Sequence, residues 1–300
     1  MTDNSSARVG LPEKHAAMVR LERASTTFDT ADAVHTEARI RLLERLQLFK
    51  LTPVRVVDLG SATGKGTAEL ARLYPEAQIL AIDLSSPMAE HTHRRCLSLD
   101  TASPLIGDAE RLPLMENSVD LVFANLLLPW CDPQTVFREV ARVLRAGGLM
   151  LFTTVGPDTL QEVRRAWREV DSDIHVHGFV DMHDLGDLAA RSGLAEPVMD
   201  VDRLQVTYEK PARLVDDLRA SGATNVAYGR RTQLTGVSRW RAFCEQLEAQ
   251  RVGGVISISV ELIFGQAWGT VGMAMGGDGT VRISAEELAR KLPGEGANGR

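Results

Sequence analysis

The segment that most restricts the fold of this chain is a short apolar run that ends in an acid and a glycine-rich loop. Residues 56–66 read Val-Val-Asp-Leu-Gly-Ser-Ala-Thr-Gly-Lys-Gly, and a predicted helix at 66–73 follows directly. The β-branched run at 54–59 has little polar alternation, which is typical of a strand buried on both faces. A strand of this kind, joined by a tight loop to a helix, indicates a parallel sheet covered by helices.

The same alternation continues along the first half of the chain. Further apolar runs predict strands at 79–83, 104–107, 120–124 and 149–154. Helices are predicted between them at 87–95 and 133–144, and a turn at 145–148. Strands joined in this way by helices form right-handed crossovers and a doubly wound sheet.

The rhythm changes after residue 155. Helical spacing is found at 159–170, 182–192, 211–221 and 234–249, and strands are predicted at 201–208 and 255–264. Before the first strand, 31–49 has helical spacing as well. The expected fold is therefore α/β: a doubly wound, mostly parallel seven-stranded sheet, with helical additions before the first strand and in the C-terminal half.

Charge and cysteine content exclude several classes of protein. The 300 residues include 34 Lys and Arg against 40 Asp and Glu, a formal net charge of −6, which argues against nucleic-acid or membrane-surface binding. The three cysteines are far apart and form no CxxC pair, so neither a disulfide framework nor a metal site is expected. The polar N-terminus and the lack of an apolar run of about 20 residues favour a cytoplasmic protein.

The glycine loop after the first strand is the expected ligand site. Open α/β sheets bind ligands at the carboxyl ends of their strands, and Gly60 and Gly64 let the backbone approach a ligand closely. The spacing matches neither the GxGxxG dinucleotide fingerprint nor the GxxxxGK[ST] phosphate loop. It resembles motif I of the class I S-adenosylmethionine-dependent methyltransferases, although a tight turn without a ligand would need the same glycines.

Later positions strengthen that resemblance. Asp83 ends the second strand, where a carboxylate can accept both ribose hydroxyls, although a helix N-cap would also explain it. An acid at the place of Asp108 contacts the adenine amino group in that family, although a surface turn is equally compatible with it. Residues 118–125 and 142–148 match the family around strands four and five. The resemblance implies S-adenosylmethionine as cofactor, bound by Asp58, Gly60, Ser61, Thr63, Gly64, Asp83, Leu84, Met88, Asp108, Ala109 and Asn125.

Segments outside the predicted core narrow the family. Five of them resemble the malonyl-[acyl-carrier protein] O-methyltransferases of biotin synthesis: residues 23–31, 159–167, 175–179, 184–185 and 222–230. Membership implies methyl transfer to the free carboxylate of a malonyl thioester, with a malonyl-loaded acyl carrier protein or malonyl-CoA as partner. This sequence has Phe28 where the family usually has Tyr, and Ser61 where Cys or Ala is common, so a role for the missing phenol hydroxyl is in doubt.

A second resemblance leaves the activity open at this point. Residues 184–188, 202–208 and 222–230 also resemble the methyltransferase-fold assembly factor of respiratory complex I, in which the fold serves arginine hydroxylation. A methyltransferase acting on another small acid or on a protein is the third possibility. Consumption of S-adenosylmethionine with a malonyl-loaded carrier separates the three.

The resemblance also divides the chain into five expected segments. They are a disordered N-terminus at 1–16, an N-terminal helical lid at 17–52, a cofactor-binding core at 53–155, substrate-side helices and final strands at 156–270, and a Gly-rich tail at 271–300. The tail has no counterpart in the family.

The expected chemistry needs positioning more than acid–base catalysis. A sulfonium is a good leaving group and a malonyl carboxylate is already ionised, so no general base and no catalytic side chain are expected. The substrate-binding candidates are Phe28, Trp130, Arg164 and His175. Arg164 is the hypothesised partner of the malonyl carboxylate because a guanidinium matches that group with two hydrogen bonds. A solvated helix face, core packing and a structural loop hydrogen bond are the competing explanations for Arg164, Trp130 and His175.

An acidic carrier protein would need a local basic surface. A possible docking patch consists of Arg230, Arg231, Arg239 and Arg241. Scattered solvated arginines would show the same sequence pattern.

Overall fold

The computed structural model describes residues 11–270 and contains a seven-stranded sheet. The strands are β1 (Arg55–Leu59), β2 (Gln78–Asp83), β3 (Ala102–Ile106), β4 (Val119–Asn125), β5 (Leu144–Val155), β6 (Leu194–Tyr208) and β7 (Ile256–Gly269). The helices are α1 (Lys14–Ala24), α2 (Ala33–Leu46), α3 (Lys65–Leu73), α4 (Ser86–Arg95), α5 (Pro133–Val143), α6 (Gln161–Arg168), α7 (Met182–Arg191), α8 (Pro211–Ala220) and α9 (Val237–Glu248). Single 3-10 turns lie at Phe28–Thr30 and Leu128–Trp130.

The strand order places the expected ligand site at a reversal of the sheet. The order is β3-β2-β1-β4-β5-β7-β6, so the chain adds strands on one side of β1 and then returns to its other side. Strands β1 to β5 are parallel, whereas β7 is antiparallel to both β5 and β6. The prediction of a mostly parallel, doubly wound sheet is confirmed. Helices that diverge from such a reversal leave a crevice at the carboxyl ends of β1 and β4.

Two apolar layers bury the sheet, which explains the continuous apolar runs of its central strands. Successive residues of a strand point to opposite faces, so Val57 packs into the layer that contains α5 while Val56 packs into the layer that contains α2 and α3. A third cluster, which includes Phe243, joins α6, α8 and α9 to the beginning of β7. The C-terminal helices therefore have a core of their own beside the cofactor-type core.

The N-terminal end of the described chain differs from the sequence prediction. Residues 11–16 were expected to be disordered, yet α1 begins at Lys14, and the Glu13 amide donates to the Val226 carbonyl at 2.8 Å. This long-range backbone hydrogen bond holds in place a polar segment, residues 11–16, whose sequence has no strong apolar pattern. The rest of the predicted disordered terminus, 1–10, and the predicted tail, 271–300, lie outside the described residues.

Three further boundaries are corrected by the structure. Strand β6 begins at Leu194 rather than at residue 201, because a register shift between Ala195 and Val198 lets the strand continue through a segment without regular alternation. Residues 145–148, predicted as a turn, belong to β5 beside another register shift in its pairing with β4. Strand β7 continues to Gly269.

None of the helices in residues 11–270 is long and apolar enough to cross a membrane.

Candidate cofactor and substrate cleft

The loop between β1 and α3 takes a shape that its glycines allow. Gly60 has φ +76° and Gly64 has φ +80°, conformations that other residues rarely adopt. A Cβ atom at Gly64 would lie 2.8 Å from the Thr92 Cα atom, so the loop also packs closely against α4. The Gly60 amide donates to the Ile82 carbonyl at 2.8 Å, which ties the loop to the end of β2. The loop therefore forms a fixed, open floor at the carboxyl edge of the sheet.

Asp83 lies at the end of β2 beside this floor. Its Oδ2 accepts a hydrogen bond from the Ala62 amide at 2.9 Å, and its Oδ1 accepts one from the Ser85 amide at 2.8 Å. Burial raises the pKa of the carboxyl group, and the two amide donors partly offset that effect. A carboxylate has about four acceptor positions, so two remain for a ligand. The backbone thus orients a single acceptor group toward the cleft.

Asp58 lies deeper, at the end of β1. The Thr67 hydroxyl donates to its Oδ2 at 2.5 Å, and burial raises its pKa to about 6. It lines a small inner cavity together with Ser61 and Thr63 rather than the main cleft. The Ser61 hydroxyl is buried and has no hydrogen-bond partner among residues 11–270, so it is available to a ligand that enters this cavity.

The main cleft encloses about 790 Å³, including its part open to solvent, and most of its wall is apolar. The predicted residues that line it are Phe28, Gly60, Asp83, Leu84, Met88, Asp108, Ala109, Asn125 and Trp130. The predicted Gly64 lines neither of these two cavities and is instead the N-cap of α3. An elongated nucleoside suits this arrangement because apolar walls can cover its base while Asp83 and Asp108 offer acceptors. With the buried Ser61 hydroxyl and the open glycine floor, the residues fit S-adenosylmethionine.

Helix α1 lines one side of the cleft, and although sequence analysis predicted an N-terminal helical lid at 17–52, it did not identify Lys14 as a contact. Lys14 donates to Glu110 Oε2 at 2.9 Å and to Asp108, while Ala17, Met18 and Leu21 line the cleft wall. The spacing of Ala17 and Leu21 is helical, but this weak signal does not show which surface the helix covers. Ion pairs of Lys14 therefore tie the helix to the acidic turn after β3.

Two aromatic side chains of the predicted substrate set, Phe28 and Trp130, line the cleft, and Phe28 also lines the inner cavity at the glycine loop. Phe28 packs edge-on against His35 with 4.8 Å between ring centroids, and Trp130 lines the wall nearby. Burial lowers the pKa of His35 to about 4, so its imidazole is neutral at pH 7. The Asn125 amide group donates to the His35 carbonyl at 3.0 Å, which fixes β4 to α2 at this place. His35 is a lining residue that sequence analysis did not identify.

The other two substrate candidates lie outside the cleft. His175 stacks on Trp167 with 3.6 Å between centroids and its Nε2 bonds Asp171 at 2.8 Å, so its contacts are structural. Arg164 donates to the carbonyl oxygens of Pro157 and Thr159 at 2.8 and 2.6 Å. The expected contact of these two side chains with the substrate is therefore not supported, because the C-terminal helices pack them into a neighbouring layer.

The predicted docking patch is also corrected. Arg230 pairs with Glu13 at 2.6 Å, and Arg231 pairs with Asp173 at 3.6 Å. Arg239 donates to Asp173 at 2.8 Å and to Asp171. Three of the four arginines are thus neutralised by acids of the same chain and do not form a free basic surface.

Comparison with known proteins agrees with the geometry of the cleft. A family model described as a methyltransferase domain matches residues 57–152. A malonyl-[acyl-carrier protein] O-methyltransferase of Gallionella capsiferriformans is 39% identical over 267 residues, which is 85% of this chain and 91% of that protein. A protein of the same name from Legionella pneumophila is 38% identical over 244 residues, or 80% of this chain and 86% of that protein.

Solved structures share the fold at low identity. The YcgJ protein of Bacillus subtilis superposes with a TM-score of 0.57 at 19% identity, over 77% of this chain and 98% of that chain. A phosphoethanolamine N-methyltransferase of Haemonchus contortus in complex with S-adenosyl-L-methionine superposes with a TM-score of 0.53 at 16% identity, over 82% of this chain and 57% of that chain.

Proposed function

The chain belongs to the malonyl-[acyl-carrier protein] O-methyltransferase family, and we propose that it transfers the methyl group of S-adenosylmethionine to the free carboxylate of a malonyl thioester. The malonyl group is carried by an acyl carrier protein or by coenzyme A, and the product enters biotin synthesis. The observation on which this depends is the cleft at the sheet reversal, where the glycine floor and Asp83 meet beside helix α1.

The residues along the carboxyl edge of the sheet would hold the cofactor. Asp83 accepts hydrogen bonds from the ribose hydroxyls, and Asp108 accepts one from the adenine amino group. Leu84, Met88 and Ala109 supply apolar wall to the base. The bound sulfonium supplies an activated methyl group and leaves as a neutral thioether. The inner cavity that contains Ser61 and Thr63 receives the polar methionine end of the cofactor.

The acceptor carboxylate enters the cleft beside Phe28 and Trp130. The carboxylate is ionised at neutral pH, so the site has to orient it and exclude water rather than remove a proton. The donors in this part of the wall are the Trp130 indole N–H, which has no hydrogen-bond partner within residues 11–270, and the neutral His35 ring. Phe28 adds apolar surface that excludes water. Arg164 stabilises the layer behind this wall and is not a contact of the carboxylate.

A transfer assay with matched substrates tests the function. We expect the purified chain to label malonyl-carrier protein from methyl-tritiated S-adenosylmethionine, and the label to be released as methanol by mild base, as from a carboxyl ester. Butyryl-carrier protein, which has the same arm but no free carboxylate, should receive no label. Labelling of neither substrate would contradict the proposal and favour an accessory protein, while base-stable labelling would favour another acceptor.

A further inference from the structure

Helix α6 presents a cationic stripe to a second pocket. Its residues 161, 164, 165 and 168 recur at spacings of three and four, so one helix face has a glutamine and three arginines. Together with Pro157, Gly178 and Phe179 they line a pocket of about 770 Å³, including its open part. A polar stripe at this spacing is the solvent-facing side of an amphipathic helix, and here it borders a recess in the surface.

The charges of this stripe are not balanced within the described chain. Arg165 has one weak contact, with the Gln250 side chain at 3.5 Å, and Arg168 has no hydrogen bond or ion pair to another residue of 11–270. The nearby Asp158 pairs with Arg203 at 3.6 Å. Burial, and then the positive charge of Arg168, lower the pKa of Arg164. Like charges one helical turn apart destabilise a helix, so this arrangement gains from a bound anion.

A wall three side chains thick, Phe179, His177 and Trp130, separates this pocket from the cleft. Arg164 donates to the His177 carbonyl at 3.4 Å, and the His177 ring packs against both Phe179, at 4.9 Å, and Trp130, at 5.5 Å between centroids. Phe179 lines the arginine pocket, and Trp130 lines the cleft. His177 is only 5% exposed, and neither of its ring nitrogens has a hydrogen-bond partner in the described part of the chain. The two cavities therefore share a wall.

We propose that Arg165 and Arg168 bind the phosphate of the phosphopantetheine arm that presents the malonyl group to the cleft. The inference rests on the proposed function, since that arm is common to acyl carrier proteins and coenzyme A. Guanidinium groups match phosphate oxygens with paired, charge-assisted hydrogen bonds. A phosphate anchored outside the reacting centre supplies binding free energy that orients the carboxylate at Trp130.

Kinetics with substrates that differ by the phosphate test the assignment. The double variant Arg165→Gln/Arg168→Gln should raise KM for malonyl-phosphopantetheine and malonyl-carrier protein by about tenfold or more, because charge-assisted bonds are lost. KM for malonyl-pantetheine, which lacks the phosphate, should not change. The exposed pair Arg94→Gln/Arg138→Gln removes the same charge from α4 and α5 and should leave all three KM values unchanged.

Direct binding separates this inference from the proposed function. By calorimetry, the wild-type chain should bind phosphopantetheine more tightly than pantetheine, and the double variant should lose that difference. The inference would be overturned if the parent and the double variant bound phosphopantetheine equally tightly. It would also be overturned if the double variant raised KM for malonyl-pantetheine as much as KM for malonyl-phosphopantetheine. A rise in KM for the carrier protein alone would assign the arginines to the carrier's acidic surface instead. Phosphopantetheine binding without any methyl transfer would reject only the proposed function.

Discussion

The cleft and the arginine pocket of α6 treat charge in opposite ways. In the cleft, charged groups are bound by the chain itself: two backbone amides hold Asp83, and Lys14 bridges Asp108 and Glu110. In the pocket, Arg165 and Arg168 have no acidic partner within residues 11–270. The cleft is therefore preorganised, with its acceptor groups already held in place for a ligand, whereas the pocket needs an anion to balance its charge. We therefore expect the cleft to position the cofactor and the pocket to bind a charged part of the substrate.

Substitution of Asp83 should change ligand affinity more than any other variant proposed for the cleft. Asp83→Ala removes the acceptor for the ribose and leaves the Ala62 and Ser85 amides unpaired, so affinity for S-adenosylhomocysteine should fall about a hundredfold or more. Titration calorimetry measures the change. KM for malonyl-pantetheine and phosphopantetheine binding report whether the substrate side stays intact.

Asp181 offers a matched control for Asp83. Its carboxylate also accepts a hydrogen bond from the amide two residues further on, His183, but it begins α7 away from the cleft. Asp181→Ala should cost about 1 kcal/mol of stability, as loss of an N-cap does, and leave cofactor affinity unchanged. Equal affinities for the parent and Asp83→Ala would contradict the role of Asp83.

The two regions also differ in how far the sequence predicts them. The loop at Gly60 and Gly64 and the acid at Asp83 follow from local constraints, because a buried strand, a tight turn and a helix start must be adjacent in the chain. Their positions at the carboxyl edge could therefore be predicted. The roles of these residues in binding stay predictions that the experiments above test.

The C-terminal half depends on packing between distant segments, which a single sequence does not encode in its local pattern. His175 was expected at the substrate but stacks on Trp167, and Arg164 was expected at the carboxylate but bonds carbonyl oxygens of its own loop. Their positions are set by the contacts of α6 with α9 and with β7. Lys14 was missed for the same reason, since its partners follow it by more than 90 residues.

A smaller effect concerns the wall that separates the two regions. Burial first, and then the charge of Arg164, lower the pKa of His177 to about 4. The Pro129 carbonyl opposes this shift but lies outside hydrogen-bonding geometry. Below pH 6.5 the unfolded chain binds a proton at this histidine and the folded chain does not, until the pH nears 4. Stability from this group is therefore present at pH 7.5, and about 2 kcal/mol of it is lost at pH 5.

Denaturant unfolding of His177→Gln at the two pH values measures this contribution. The difference between the parent and the variant should change by about 2 kcal/mol from pH 7.5 to pH 5, in favour of the variant at the lower pH. The exposed His93→Gln should follow the parent at both values. The same pH dependence in His177→Gln as in the parent would show that the shared wall holds no buried neutral imidazole.

The ion pairs of Lys14 on α1 should have a small effect on cofactor release. Lys14 is about one third exposed, so its ion pairs with Asp108 and Glu110 are partly screened and should contribute less than about 1 kcal/mol. Lys14→Gln should raise the dissociation rate of S-adenosylhomocysteine about threefold in stopped-flow measurements, and leave the KM for malonyl-pantetheine unchanged. Arg251→Gln, which breaks a comparable surface pair with Glu248, should alter neither quantity. An unchanged dissociation rate in Lys14→Gln would mean that apolar contacts of Met18 and Leu21, rather than charge, hold α1 against the cleft.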